Sequence, residues 1–221
     1  TPRAVLQLVH GMVEHIERYD ATAKRLNSEG FLVVGHNLLG HGRKAETLGW
    51  FAKSGGWDAQ IEDVHALRER VQAEYPSMPY FLMGHSMGSF VVRTYCLKHE
   101  AGLQGVILSG TAHFDAPILN VGLLLANLQC AFGGEKKPSI LLTNMGFAGY
   151  NRDWSPARTA FDWLSKNTAV VDAYVADPLC GYPFTAGAYR DLFTGLKRMY
   201  PKYLGLLNKH VPVYLFSGAT D

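Results

Sequence analysis

A chain of 221 residues that is 48% hydrophobic and 18% charged carries enough apolar side chain for one buried core, or for one core with an insertion, which argues against a disordered binding segment. Its 21 Lys and Arg against 19 Asp and Glu leave a net charge of +2, too little for a nucleic-acid footprint or a polybasic membrane patch. Cys96, Cys130 and Cys180 stand apart without CxxC spacing, so reduced thiols are expected rather than a disulfide framework or a thiolate zinc site.

Thr1-Pro2-Arg3 offers no initiator Met and no apolar leader, so the expected N-terminus is a trimmed one and the sequence does not fix a compartment. The working location is cytoplasmic, with peripheral membrane contact left open. Ala4 to Val9 is a short apolar run of strand length ending at His10-Gly11. Asp20 to Glu29 predicts a helix closed by Gly30, and Phe31 to Gly35 a second strand. Trp57, Ile61, Val64, Leu67 and Val71 recur at spacings of four and three, one face of a helix lying on a sheet. Pro79 to Met83 predicts a third strand running into Gly84-His85-Ser86-Met87-Gly88 and an apolar helix to about Lys98, and Gln104 to Ser109 a fourth.

Strict alternation of strands and helices calls for an α/β fold with a mainly parallel sheet flanked by helices, since each parallel crossover needs a dozen or more residues. From His113 to about Ala186 that rhythm stops, and these residues are expected to form an insertion rather than a structureless loop. Within it, Ala116 to Gly134 carries no charge. Asn120, Asn127 and Gln129 interrupt it and are costly in lipid, so an apolar surface or pocket helix is expected in place of a span. Thr159 to Asp177 reads as a helix. Tyr189, Leu192, Phe193, Leu196 and Met199 predict another, stopped by Pro201, and Val211 to Phe216 a fifth strand ending at Asp221.

Gly84-His85-Ser86-Met87-Gly88 has the form G-x-S-x-G, in which two glycines permit a strained strand-to-helix turn that lifts a serine hydroxyl above the sheet. The string alone is weak, but its place between an apolar strand and an apolar helix is the setting that gives it meaning. Acyl transfer also needs two backbone donors for the oxyanion of a tetrahedral intermediate. The Met12 N–H, where the chain leaves the first strand, and the Met87 N–H, at a helix N-terminus, are the candidates.

Leu8-Val-His-Gly-Met-Val-Glu-His15, Arg18-Tyr19-Asp20, Gly40-His-Gly-Arg43 and Gly84-His-Ser-Met-Gly88 resemble the α/β-hydrolase branch that holds monoacylglycerol lipases and bacterial lysophospholipases. The likeness spans nearly the whole chain. Asp162-Trp-Leu-Ser165 and Asp177-Pro-Leu-Cys-Gly181 look like the cap of bacterial members, and Ser217-Gly-Ala-Thr-Asp221 like the loop carrying the catalytic acid. The resemblance implies a core over 1–112, a mostly helical cap or lid over 113–186 and a continued core over 187–221. It implies Ser86 as nucleophile, Met12 and Met87 as oxyanion donors and Asp221 as the group orienting a histidine. Asn37 stands where the family often has Asp. The family's first two strands have no counterpart before Thr1, and its C-terminal strand and helix have none after Asp221.

Triad order in this fold is Ser, acid, His, yet all nine histidines precede Asp221; the base is expected beyond the residues given, and the chain by itself is expected to be inactive and prone to aggregate. His85 adjoins Ser86, but neighbouring side chains on a turn diverge. His10 and His15 belong to the donor loop, where His10 is expected to bond to backbone. His113, after the fourth strand, stays open as a base, a substrate-pocket residue or a structural one, and Leu124 and Leu125 are the candidate acyl-pocket residues of the cap. Gly40-His-Gly-Arg-Lys-Ala45 fits G-x-G-x-x-A but lacks the helix and second acid-tipped strand of a dinucleotide site. No cofactor or metal is expected, and His36 and His41 have no zinc-ligand pattern. The reading is a serine ester hydrolase of lipid-like acyl esters, with a small-molecule substrate and no nucleic acid. The alternatives are a cap-bearing hydrolase of peptide, amide or small acyl substrates, and a ligand-binding module without turnover.

Overall fold

The computed structural model describes residues 2–147, 149–200 and 210–219. Strand β1 (Ala4–Val9) is followed by helix α1 (Asp20–Ser28), β2 (Phe31–Gly35), α2 (Gly56–Glu74), β3 (Tyr80–His85), α3 (Met87–His99) and β4 (Gly105–Ser109). Next come α4 (Ala116–Gln129), α5 (Ile140–Phe147), α6 (Thr168–Ala176) and α7 (Ala186–Leu196), and β5 (Val213–Phe216) joins the far edge. The five strands lie in the order β2-β1-β3-β4-β5, each neighbouring pair parallel. The chain steps outward from β1 to β2, then back past β1 to β3 and onward. Right-handed crossovers in opposite directions put their helices on opposite faces: α1 packs by β2, while α2, α3 and α7 pack together across β1 and β3.

The helical face of the sheet is closed by Val5, Val9, Tyr80, Leu82, Val106 and Leu108 against Trp57, Val64, Val91 and Tyr95. Gln7 sits in this core with both ends of its amide used, donating to Val64 O at 3.0 Å and accepting from Tyr80 Oη at 2.6 Å. A buried amide left unpaired would cost kilocalories, so this pair locks α2 to the strands in one register.

Residues 113–186 carry α4, α5 and α6 among the described residues, but Thr159 to Asp177, expected as a helix, is not one helix. It breaks into a short turn at Asp162–Leu164 and α6. Asp162 folds back to accept from the Arg158 and Thr159 N–H groups at 2.5 and 3.0 Å, and Asn167 caps α6 by accepting from Ala169 N at 3.1 Å. These local bonds compete with a continuous helix and win. By length and composition, Ala116–Gly134 is long and apolar enough to cross a membrane. The regular helix within it has 14 residues, about 21 Å of rise against a hydrocarbon core of about 30 Å. Phe132 and Gly133 then leave helical geometry.

Candidate active site

Ser86 stands where β3 becomes α3, with φ 49° and ψ −121°, a conformation that costs a non-glycine residue about 1–3 kcal/mol and is kept only where the surroundings impose it. Its N–H donates to Ser109 O at 2.9 Å, and Ser89 Oγ donates to Ser86 O at 2.6 Å. A Cβ on Gly84 would overlap the Gly88 backbone, and one on Gly88 the Val9 and His10 carbonyls. Both glycines are therefore required by close backbone approach, and the serine between them carries the strain. Ser86 Oγ makes no hydrogen bond among the described residues.

The loop leaving β1 is folded against this turn. A Cβ on Gly11 would lie 3.3 Å from Ser86 Cβ. Buried Glu14 holds the loop: it accepts from Gly11 N at 2.6 Å and Tyr19 Oη at 2.8 Å, and it pairs with Arg18. The Gly11 N–H is thereby spent, whereas the Met12 and Met87 N–H groups have no protein acceptor among the described residues. Val13 has φ 51°, rare for a β-branched residue. It is held by donation to His41 Nε2 at 3.3 Å and by its carbonyl, which accepts from Gly181 N and Tyr174 Oη, both at 2.9 Å.

His10 is fully buried and bonded to backbone at both ring nitrogens: Leu38 N donates to Nε2 at 3.0 Å, and Nδ1 donates to Gly11 O at 2.8 Å. Burial lowers its pKa to about 4 and holds that of His41 well below the ordinary imidazole range. These neutral rings, 4.9 Å apart edge to face, are scaffolding for the donor loop. His85 Nδ1 lies 3.1 Å from Ser109 Oγ, and no hydrogen bond joins His85 to Ser86 Oγ among the described residues.

His113 is exposed, lies 6.1 Å from the Tyr200 ring, and lines an apolar cavity of about 470 Å³ between α3, β4 and β5 that Ser86 does not border. On α4, Leu119, Gly122 and Ala126 are buried, Leu125 is half-buried against the core, and Leu124 is 58% exposed. Asp221 lies outside the described residues. Sequence reasoning missed Glu14 and Tyr174. The Gly11-x-x-Glu14 spacing, one residue reaching back three to a free N–H, was the available signal for the first; the second acts across 161 residues.

The family model described as serine aminopeptidase, S33, matches residues 1–221. The chain belongs to this family. It is 30% identical to the monoglyceride lipase of Rattus norvegicus over 81% of this chain and 53% of that protein. With the monoacylglycerol lipase of Mycolicibacterium smegmatis it shares 28% over 100% and 71%. The chain thus spans about half the length of the mammalian relatives it matches. Among solved structures, a thermostable carboxyl esterase from Bacillus coagulans in complex with glycerol superposes with a TM-score of 0.88 at 28% identity, over 97% of this chain and 70% of that one. The fold is that of the α/β-hydrolases, in their monoacylglycerol-lipase-like branch.

Proposed function

We propose that the intact protein is a serine ester hydrolase of lipid-like acyl esters, monoacylglycerols or lysophospholipids, working through an acyl-enzyme. The observation that carries this reading is the strained Ser86 turn, packed against a loop that offers a free N–H on one side while the start of α3 offers another. Ser86 Oγ attacks the ester carbonyl carbon, and its proton passes to a histidine base, which in this fold follows the acid in the chain. Asp221 is the acid assigned to orient that base. As the carbonyl oxygen gains charge, the Met12 and Met87 N–H groups hold it; one such donor is worth on the order of 10²–10³ in rate. The alcohol leaves with the base's proton, and water then releases the fatty acid by the same steps in reverse.

The relatives' names support the substrate class, and so does the cap. Ile118, Val121, Leu124 and Leu128 form an exposed apolar stripe on a helix without charge, suited to rest on a lipid surface or guide an acyl chain. In the full-length protein, a serine-directed phosphonate should label one site, and Ser86→Ala should abolish both the label and at least about 10³-fold of ester turnover. Unchanged labelling would remove Ser86 from its role, and ligand binding without turnover would favour the non-catalytic alternative. Rates on monoacylglycerol, lysophospholipid and aminoacyl substrates at equal concentration separate the substrate classes.

A further inference from the structure

Beside the donor loop, three side chains from two distant segments of the chain meet. His15 Nε2 lies 2.8 Å from Asp177 Oδ2, and the ligand atoms of His15, Asp177 and Cys180 all lie within 4.8 Å of one another. His15 comes from the segment after β1, and the other two from the arm by which the cap returns to the core. A turn closed by Cys180 N donating to Asp177 O at 3.0 Å sets the thiol beside the carboxylate.

We propose that His15, Asp177 and Cys180 form a three-ligand site for a thiophilic divalent cation, Zn²⁺ being the best match, which staples the donor loop to the returning arm of the cap. Nitrogen, oxygen and sulfur in one cluster are the donor set of zinc, with bonds of about 2.0–2.3 Å and a fourth position left to water. Ligand atoms within 4.8 Å of one another stand near the spacing that bonds of this length to one ion require.

The surroundings have the form of a metal site's outer layer. His15 Nδ1 is 2.8 Å from Glu17 Oε2, the carboxylate–histidine arrangement that fixes a ligand's tautomer and turns its other nitrogen outward. Asp177 Oδ1 accepts from Leu179 N at 2.8 Å, which holds the carboxylate while Oδ2 faces the cluster. Of the nearby cations, Arg18 is paired with Glu14 and lies over the Tyr174 ring at 4.8 Å, and Arg43 is exposed. The three ligands are partly accessible, Asp177 being 30% exposed by side chain and His15 10%. On coordination the S–H bond of Cys180 breaks, its proton goes to solvent, the sulfur lone pair forms the metal bond, and the His15–Asp177 hydrogen bond is replaced by bonds to the ion.

The test uses the full-length protein and reads binding without reference to catalysis. Co²⁺, a spectroscopic stand-in for zinc, should give a thiolate-to-cobalt charge-transfer band and tetrahedral d–d bands, both displaced by Zn²⁺. Cys180→Ser should remove the charge-transfer band, while Cys96→Ser and Cys130→Ser keep it. Asp177→Asn should weaken Zn²⁺ by more than the roughly 10–100-fold that an outer-layer partner is worth. Circular dichroism of each variant reports folding. No band in the parent protein, or a band that survives Cys180→Ser, overturns the proposal. Phosphonate labelling of the parent protein at Ser86 reports the hydrolase reading and the cobalt spectrum reports the metal site, so failure of one and failure of the other are read separately.

Discussion

Around Ser86 the apolar residues are hidden: Val9, Val13 and Met87 are each under 5% exposed. On α4 they are displayed, Ile118 at 64% and Leu124 at 58%, although that helix carries no charge to hold it in water. The first region must force two backbone segments into close approach and hold a serine and a valine at positive φ, and only a closed core supplies the energy for that. The second buries a narrow strip, Leu119, Gly122 and Ala126, against α7 and leaves the rest unmatched, as a surface that meets another apolar phase would. Packing is complete where geometry is demanded and one-sided along α4.

Substitutions that carry the contrast to its extreme should show it. Gly88→Ala pushes a methyl into the Val9 and His10 carbonyls, groups that cannot swing aside. The expected loss is about 3 kcal/mol or more, roughly 6–12 °C in melting temperature by calorimetry.

Acid should weaken the same region. Unfolding exposes a His10 imidazole that takes a proton below about 6.5, whereas the buried ring resists protonation until about 4. The unfolded state therefore holds more protons in that window, and stability present above pH 6.5 is lost as pH falls toward 4, by roughly 3 kcal/mol from this ring. Urea unfolding at a series of pH values should show the slope, and His10→Asn should be less stable at pH 7 yet flatter across the window. An unchanged slope would assign the acid sensitivity to other groups.

Where α6 touches the donor loop, effects should be intermediate. Tyr174→Phe removes one of two donors to Val13 O and leaves Gly181 N in place, so about 1 kcal/mol is expected, read as a modest shift of the urea midpoint. On the displayed face, Leu124→Asp should move thermal stability by no more than about 0.5 kcal/mol. Long-chain ester hydrolysis should fall with acetate ester hydrolysis retained. A large stability loss from Leu124→Asp would mean that α4 is covered in the intact protein and break the comparison.

The alternation of β1 through β4 and the Gly84–Gly88 turn were legible because each is a local pattern: apolar runs of strand length, helical spacing, and glycines placed where a Cβ cannot fit. The core position of Gln7 was not, since its partners Val64 and Tyr80 lie 57 and 73 residues away. His15 and Asp177 meet across 162 residues, and cysteine spacing, the usual guide to thiolate metals, is silent when a single cysteine joins ligands from another segment. The break before α6 was written in Asp162 and Asn167, residues that cap helices as readily as they interrupt them.

The order of strands has a consequence for where the Ser86 turn lies. Because the chain runs outward to β2 and back to β3, the connections leaving β1 and β3 head in opposite directions, and the reversal falls between these two strands. Gly11 and Ser86 follow the two strand ends at that reversal, packed against each other. The place of the Ser86 turn is thus set by the topology, while residues 113–186 enter after β4, outside the strand–helix alternation. A change on the exposed face of α4 therefore leaves the strained turn at Ser86 as it is.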